Sequence, residues 1–210
     1  MIKDFVFFFS GLVVLFIVMN SYHQITGDMV YEKYKNRTFL VRNISNPKHN
    51  KQKAAVKLDS VLNKLIKIKD YMIKTFPTHP DVIQLKANFK ANSISENLPD
   101  SEYTSYSLNK GEKIAMCIRS KKTNDFIDEN TIMFVAIYEM AHIMTKSIGH
   151  KSDFWKNMRV LLCVGSKLKL YNWSNYSTPA KYCGTEINST PLKSIEDCDE
   201  TIAEFKKEAE

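Results

Sequence analysis

The segment ENTIMFVAIYEMAHIMTKSI, residues 129 to 148, constrains the fold more than any other stretch. Ile132, Met133, Val135, Ala136 and Met140 make it apolar over much of its circumference. A helix with that pattern has to be enclosed by the rest of the chain rather than laid on its surface. Asp128 or Asn130 can cap its start, and Gly149 stops it as a C-terminal glycine does. The spacing predicts a helix from about Glu129 to Lys146.

Material for a shell lies on both sides. Leu58, Val61, Leu62, Leu65, Ile68 and Met72 recur at three- and four-residue steps, which predicts an amphipathic helix that begins near Lys51 and is ended by Pro77. His79-Pro80-Asp81 opens a second helix with Val82, Leu85 and Phe89 on one side. YTSYSL and KIAMCIR flank NKGE, so Tyr103 to Arg119 reads as a β-hairpin. A further helix is expected from Ser152 to about Lys167, presenting Phe154, Trp155, Met158, Leu161 and Leu162. The stretch 22–50 lacks periodicity and reads as a basic linker, 92–100 as loop, and 193–210 as an acidic tail that forms a short, solvated or marginal helix.

Phe5 to Met19 carries no charge and only Ser10 and Gly11 interrupt its large apolar side chains. Extended through Ser21 it approaches the roughly 17–20 residues that cross about 30 Å of hydrocarbon. No A-x-A-like cleavage step follows, so the expectation is an uncleaved single-pass anchor over residues 1–21, with the basic residues after it favouring a cytosolic C-terminal domain. Five N-x-[ST] triplets would matter only in a lumenal domain.

The formal charge is +7; residues 193–210 hold seven acids and three bases, a net of −4, which leaves +11 on residues 1–192. An anionic membrane surface or nucleic acid would suit that excess. The lysines are scattered, with no arginine-rich run and no CxxC pair, so solvated lysines account for it more simply and nucleic acid is not the expected partner. Cys117, Cys163, Cys183 and Cys198 stand too far apart for a metal or redox motif, and reduced thiols are expected in a chain of this size.

The chemistry concentrates in YEMAH, residues 138–142. Positions four apart share a helix face, so Tyr138 and His142 project together, with Glu139 one step round. Zinc peptidases with the HExxH motif place two imidazoles on that face and use the Glu as general base. Here only His142 and, beyond the Gly149 turn, His150 are imidazole candidates, and Tyr138 occupies the position of the first. A phenol has to lose a proton with a reference pKa of about 10 before it binds a metal well. Taken alone, E-x-x-H is uninformative: His142 reads equally as a hydrogen-bonded core residue and His150 as a helix cap.

The longer string YSLNKGEKIAMCIRS, then NTIMFVAIYEMAHIMTKSIGHKSDFWKNMRVLL, then YCG, resembles the WLM/SprT-like metallopeptidases of large nucleocytoplasmic DNA viruses over roughly Thr104 to Pro191. The resemblance implies a zincin-like α+β fold, a small sheet with the active helix packed beneath it. It also implies Glu139 as general base, His142 and His150 as second and third zinc ligands, and Tyr138 in place of the first. The domain organisation expected is a transmembrane anchor at 1–21, a linker at 22–50, a zincin-like domain at 51–192 and an acidic tail at 193–210. The function expected is that of an impaired metallopeptidase homologue, acting as a structural or interaction protein at a virion or host membrane, with zinc bound weakly or not at all. The competing reading is an active zinc peptidase acting on a protein substrate.

Overall fold

The computed structural model describes residues 27–208. Two strands open it, β1 (Met29–Tyr34) and β2 (Arg37–Arg42), paired antiparallel in register Tyr34 to Arg37. Helix α1 (Lys51–Thr75) follows, its first turn capped by the Asn50 side chain accepting from the Lys53 amide at 2.9 Å. Helix α2 (Pro80–Asn88) starts on His79, whose Nδ1 accepts from the Asp81 amide. Strands β3 (Ile94–Glu96), β4 (Ser105–Leu108) and β5 (Lys113–Met116) form a sheet ordered β3-β5-β4, with β3 parallel and β4 antiparallel to β5. Helices α3 (Glu129–Met144) and α4 (Ser152–Lys167), the small hairpin β6 (Ala180–Tyr182) and β7 (Thr185–Ile187), and helix α5 (Cys198–Lys207) complete it.

The architecture is α+β. Helix α1 lays its Leu58–Met72 stripe against the first hairpin, β3, α2, α3 and α4, and those six side chains are essentially inaccessible to water. Helix α3 is enclosed as its composition demands: from Thr131 to Thr145 every residue is buried except Tyr138 and His142. The only open stripe on the central helix is therefore the pair of candidate ligands.

The expected transmembrane helix in front of this domain has to be corrected. Phe5–Met19, which carried it, lies outside the described residues, and among those described no helix is long and apolar enough to cross a membrane. Even the 25-residue α1 alternates buried apolar side chains with lysines. A single-pass anchor, and the placement at a virion or host membrane drawn from it, is not supported.

Three further readings differ. The stretch read as linker forms β1 and β2, and Phe39 and Val41 enter the same core as α1. The acidic tail folds back as α5, with Phe205 stacked on His79 at 3.8 Å and edge-on to Phe76. The cysteines expected as thiols form two disulfides, Cys117–Cys183 and Cys163–Cys198, because folding brings together residues 66 and 35 positions apart. Loops of that length remove enough unfolded-chain entropy for each bridge to stabilise the fold by about 2–4 kcal/mol.

The first hairpin is joined to the sheet by buried charge. Glu96 on β3 accepts from Arg42 Nε at 2.7 Å and Arg119 Nε at 2.8 Å, while its second oxygen takes the Arg42 amide at 2.7 Å and Arg119 Nη2. The two guanidinium groups return hydrogen bonds to each other's main chain: Arg42 Nη2 to Arg119 O at 2.8 Å and Arg119 Nη2 to Arg42 O at 2.9 Å.

Candidate metal centre

Helix α3 presents Tyr138 and His142 from one face, one turn apart. The chain then leaves the helix at Thr145 and turns at Gly149, whose φ of +84° is open to glycine at little cost. That turn brings His150 back over the same face. His150 Nε2 lies 3.2 Å from His142 Nε2 and in hydrogen-bond contact with the Tyr138 hydroxyl. Phe154, fully buried on α4, supports all three rings, with centroids 5.2 Å from Tyr138, 4.3 Å from His142 and 4.8 Å from His150.

The return loop is held from two sides. Lys110, in the tight turn between β4 and β5, donates to the carbonyls of Thr145 at 2.6 Å and Ser147 at 2.7 Å. Gly111 beside it has φ +112°, and a Cβ there would lie 2.7 Å from the Asn88 carbonyl, so only glycine lets this turn approach. On the other side Ser147 Oγ donates to Asp153 at 2.9 Å, and Asn157 reaches Thr145 Oγ1 at 3.0 Å.

Glu139, buried beside Tyr138 on the helix, is held from the outer strand of the sheet, where Ser105 Oγ donates to its Oε1 at 2.9 Å. Burial pushes its carboxyl up to about 7, partly opposed by the Ser105 hydrogen bond. Burial lowers His142 to about 4, helped by His150 and Lys110, so its imidazole is neutral at pH 7. Burial and then the Glu139 charge raise the Tyr138 phenol to about 12.

The raised Glu139 carboxyl has a consequence for the metal-free fold. The folded state holds that proton more tightly than the unfolded chain does. The resulting stability is complete below the ordinary value of 4.5 and is lost as pH rises through about 7. Glu139→Gln removes the titration, so in EDTA the variant should exceed the parent by roughly 2–3 kcal/mol at pH 8 and by little at pH 5. Urea denaturation at the two pH values decides it; a difference that does not depend on pH would contradict the assignment.

Among the described residues no three His, Cys, Asp or Glu side chains gather as a metal site. The cluster at α3 holds two imidazoles and a phenol instead. Tetrahedral zinc with bonds of 2.0–2.1 Å places its donor atoms roughly 3.3 Å apart. The 3.2 Å between the two imidazole nitrogens meets that spacing, and the His142 imidazole can offer a lone pair at neutral pH, so the residues fit the ion.

Residues 77–206 match the WLM domain. The chain belongs to the WLM family. A mimivirus relative, uncharacterized protein R325 of Acanthamoeba polyphaga mimivirus, is 30% identical over 188 residues, covering 87% of this chain and 93% of its own. Two shorter matches are to uncharacterized protein 042R of Invertebrate iridescent virus 3, 42% over 50 residues, and uncharacterized protein 136R of Invertebrate iridescent virus 6, 36% over 70 residues. They cover 24% and 32% of this chain, and 31% and 39% of the relatives. No solved structure matches. The WLM assignment makes this a zincin-like, protease-related domain of a kind found in viral proteins, a class that typically binds zinc.

Of the four residues singled out in the WLM string, Tyr138, His142 and His150 meet through their ring atoms, and Glu139 is buried next to Tyr138 with Ser105 of β4 donating to it. Sequence reasoning missed Ser105 and Lys110, which hold Glu139 and the return loop. It took Phe154 only as core, with no sign that it would underlie all three rings. The one available signal was the left-handed turn at Asn109-Lys110-Gly111, which NKG announces without revealing what the lysine reaches.

Proposed function

We propose that this WLM protein binds a zinc ion through His142, His150 and the Tyr138 oxygen, and that it is a slow peptidase with Glu139 as general base. The observation that carries the reading is the meeting of three donor atoms at the single open stripe of an otherwise buried helix. Zinc bound there would supply Lewis acidity towards water and the scissile carbonyl. Glu139 takes a proton from the attacking water and passes it to the leaving amine as the C–N bond breaks. With its carboxyl near 7 it can both accept and return that proton at neutral pH. Ser105 fixes the direction of the carboxylate, and Lys110 with Gly149 keeps His150 over the helix.

Hydrolysis is attenuated because Tyr138 resists ionisation. The Tyr138 hydroxyl and His150 Nε2 are hydrogen-bonded to each other, a bond that both atoms would have to give up to ligate a metal. That same hydrogen bond favours a second reading, a metal-free domain that acts by binding a protein partner.

Metal content by plasma mass spectrometry and a peptide-library cleavage assay test the two readings together. About one zinc per chain is expected, with slow cleavage that Glu139→Gln reduces by roughly 100-fold or more. Metal-free protein that cleaves nothing after zinc addition would establish the second reading.

A further inference from the structure

A cavity of about 480 Å³ opens beside Tyr138, between α3, α4 and the strap that follows β7. Phe134, Met158, Ile187 and Pro191 give it apolar walls, and Trp155 stands at its edge 39% exposed. Trp155 also faces His150 at 5.6 Å, so one indole borders both the cavity and the candidate metal centre. Ile148, 85% exposed on the return loop, adds a second uncovered apolar side chain near His150. Among the described residues strand β7 pairs only with β6, which leaves the main-chain groups of its other edge for an added strand.

The cavity does not end at Pro191. Pro191 and Arg159 also line a neighbouring cavity of about 370 Å³, whose walls carry Asp197, Glu200 and Glu204 together with Lys156 and Lys193. None of these three carboxylates forms an ion pair with a described residue, whereas Glu208 beyond them is already paired with Lys156. An occupant running from Tyr138 past Pro191 therefore passes from a largely apolar pocket onto a charged face where these three carboxylates stand beside two cations, Arg159 and Lys193, that also form no ion pair with a described residue.

We propose that this groove takes an extended polypeptide, seating a bulky apolar side chain in the pocket beside Tyr138 and placing basic residues over the Asp197–Glu204 face. The proposal rests on the peptidase-type reading of the site and names its substrate class. Burying an aromatic side chain in the pocket supplies the main selectivity, and the acidic face adds a contribution that salt screens.

Fluorescence anisotropy of labelled, end-blocked peptides with the full-length chain in EDTA tests it. A peptide carrying Phe followed at three residues by Lys-Lys should bind about 10-fold or more tightly than its Phe→Ala counterpart. It should also bind more tightly than its Lys→Glu counterpart, by a margin that shrinks at 0.5 M salt. Trp155→Ala and, separately, Ile187→Asp should each erase the preference for Phe. Equal binding of the Phe and Ala peptides, or a Phe preference that survives both variants, overturns the proposal. Co²⁺ uptake, followed by its visible spectrum on the same protein, separates the two readings. Phe-selective binding without Co²⁺ uptake leaves the groove standing and removes the metal; Co²⁺ uptake without side-chain selectivity removes the groove and leaves the metal.

Discussion

Glu96→Gln is expected to cost the fold about 3–5 kcal/mol, the usual result of removing one member of a buried ion cluster. The wild-type carboxylate is 2% exposed and faces two guanidinium groups, Arg119 fully buried and Arg42 nearly so. An amide of the same shape leaves two positive charges in the interior with no negative partner, and one of its ends would aim N–H groups at N–H groups. The loss should appear in urea denaturation as a lowered midpoint with little change in slope. The same variant should loosen β1 and β2, because Arg42 is the point at which the first hairpin is hydrogen-bonded to β3. A cost below about 1 kcal/mol would mean that water reaches the cluster.

Tyr138→His should raise zinc affinity by roughly 100-fold or more, since losses of 10–100-fold follow from changes to groups that merely orient a ligand. At pH 7 the phenol has to release a proton held up to about 12, whereas His142, lowered to about 4, already offers a lone pair. The added imidazole inherits the support of Phe154 beneath it and the one-turn spacing from His142. Competition with a chromophoric chelator measures the change, and faster cleavage should accompany it. Equal affinities in the two proteins would show that Tyr138 contributes no deficit, and the explanation of slow turnover would fall with it.

The parts of the fold that could be read in advance are those whose signal is local. Asp128 as a cap, the apolar circumference of α3, the leucine stripe of α1 and the NKG turn all act within about one helical turn or one hairpin. The first hairpin escaped because its turn, Lys35-Asn36, lacks the glycine that marks a tight reversal, although Lys35 adopts φ +53°. Strand β3 escaped because three residues show no periodicity, and it exists only as the parallel neighbour of β5. The short helix of the acidic tail was legible, but its packing as α5 escaped because its single buried aromatic, Phe205, finds Phe76 and His79 from the other end of the domain.

The candidate site divides in the same way. Sequence alone determined that Tyr138 and His142 share a face and that a glycine turn stands before His150, because helix pitch and glycine's conformational freedom need no tertiary information. It also carried the resemblance to the WLM family of large DNA viruses, the part that the WLM match bears out. Only the tertiary structure decided that His150 returns to within 3.2 Å of His142, that Glu139 is turned to Ser105, and that four cysteines pair as two disulfides. Those outcomes join groups from different elements, and the free energy that selects them comes from core packing summed over the whole domain, which no short stretch of sequence contains.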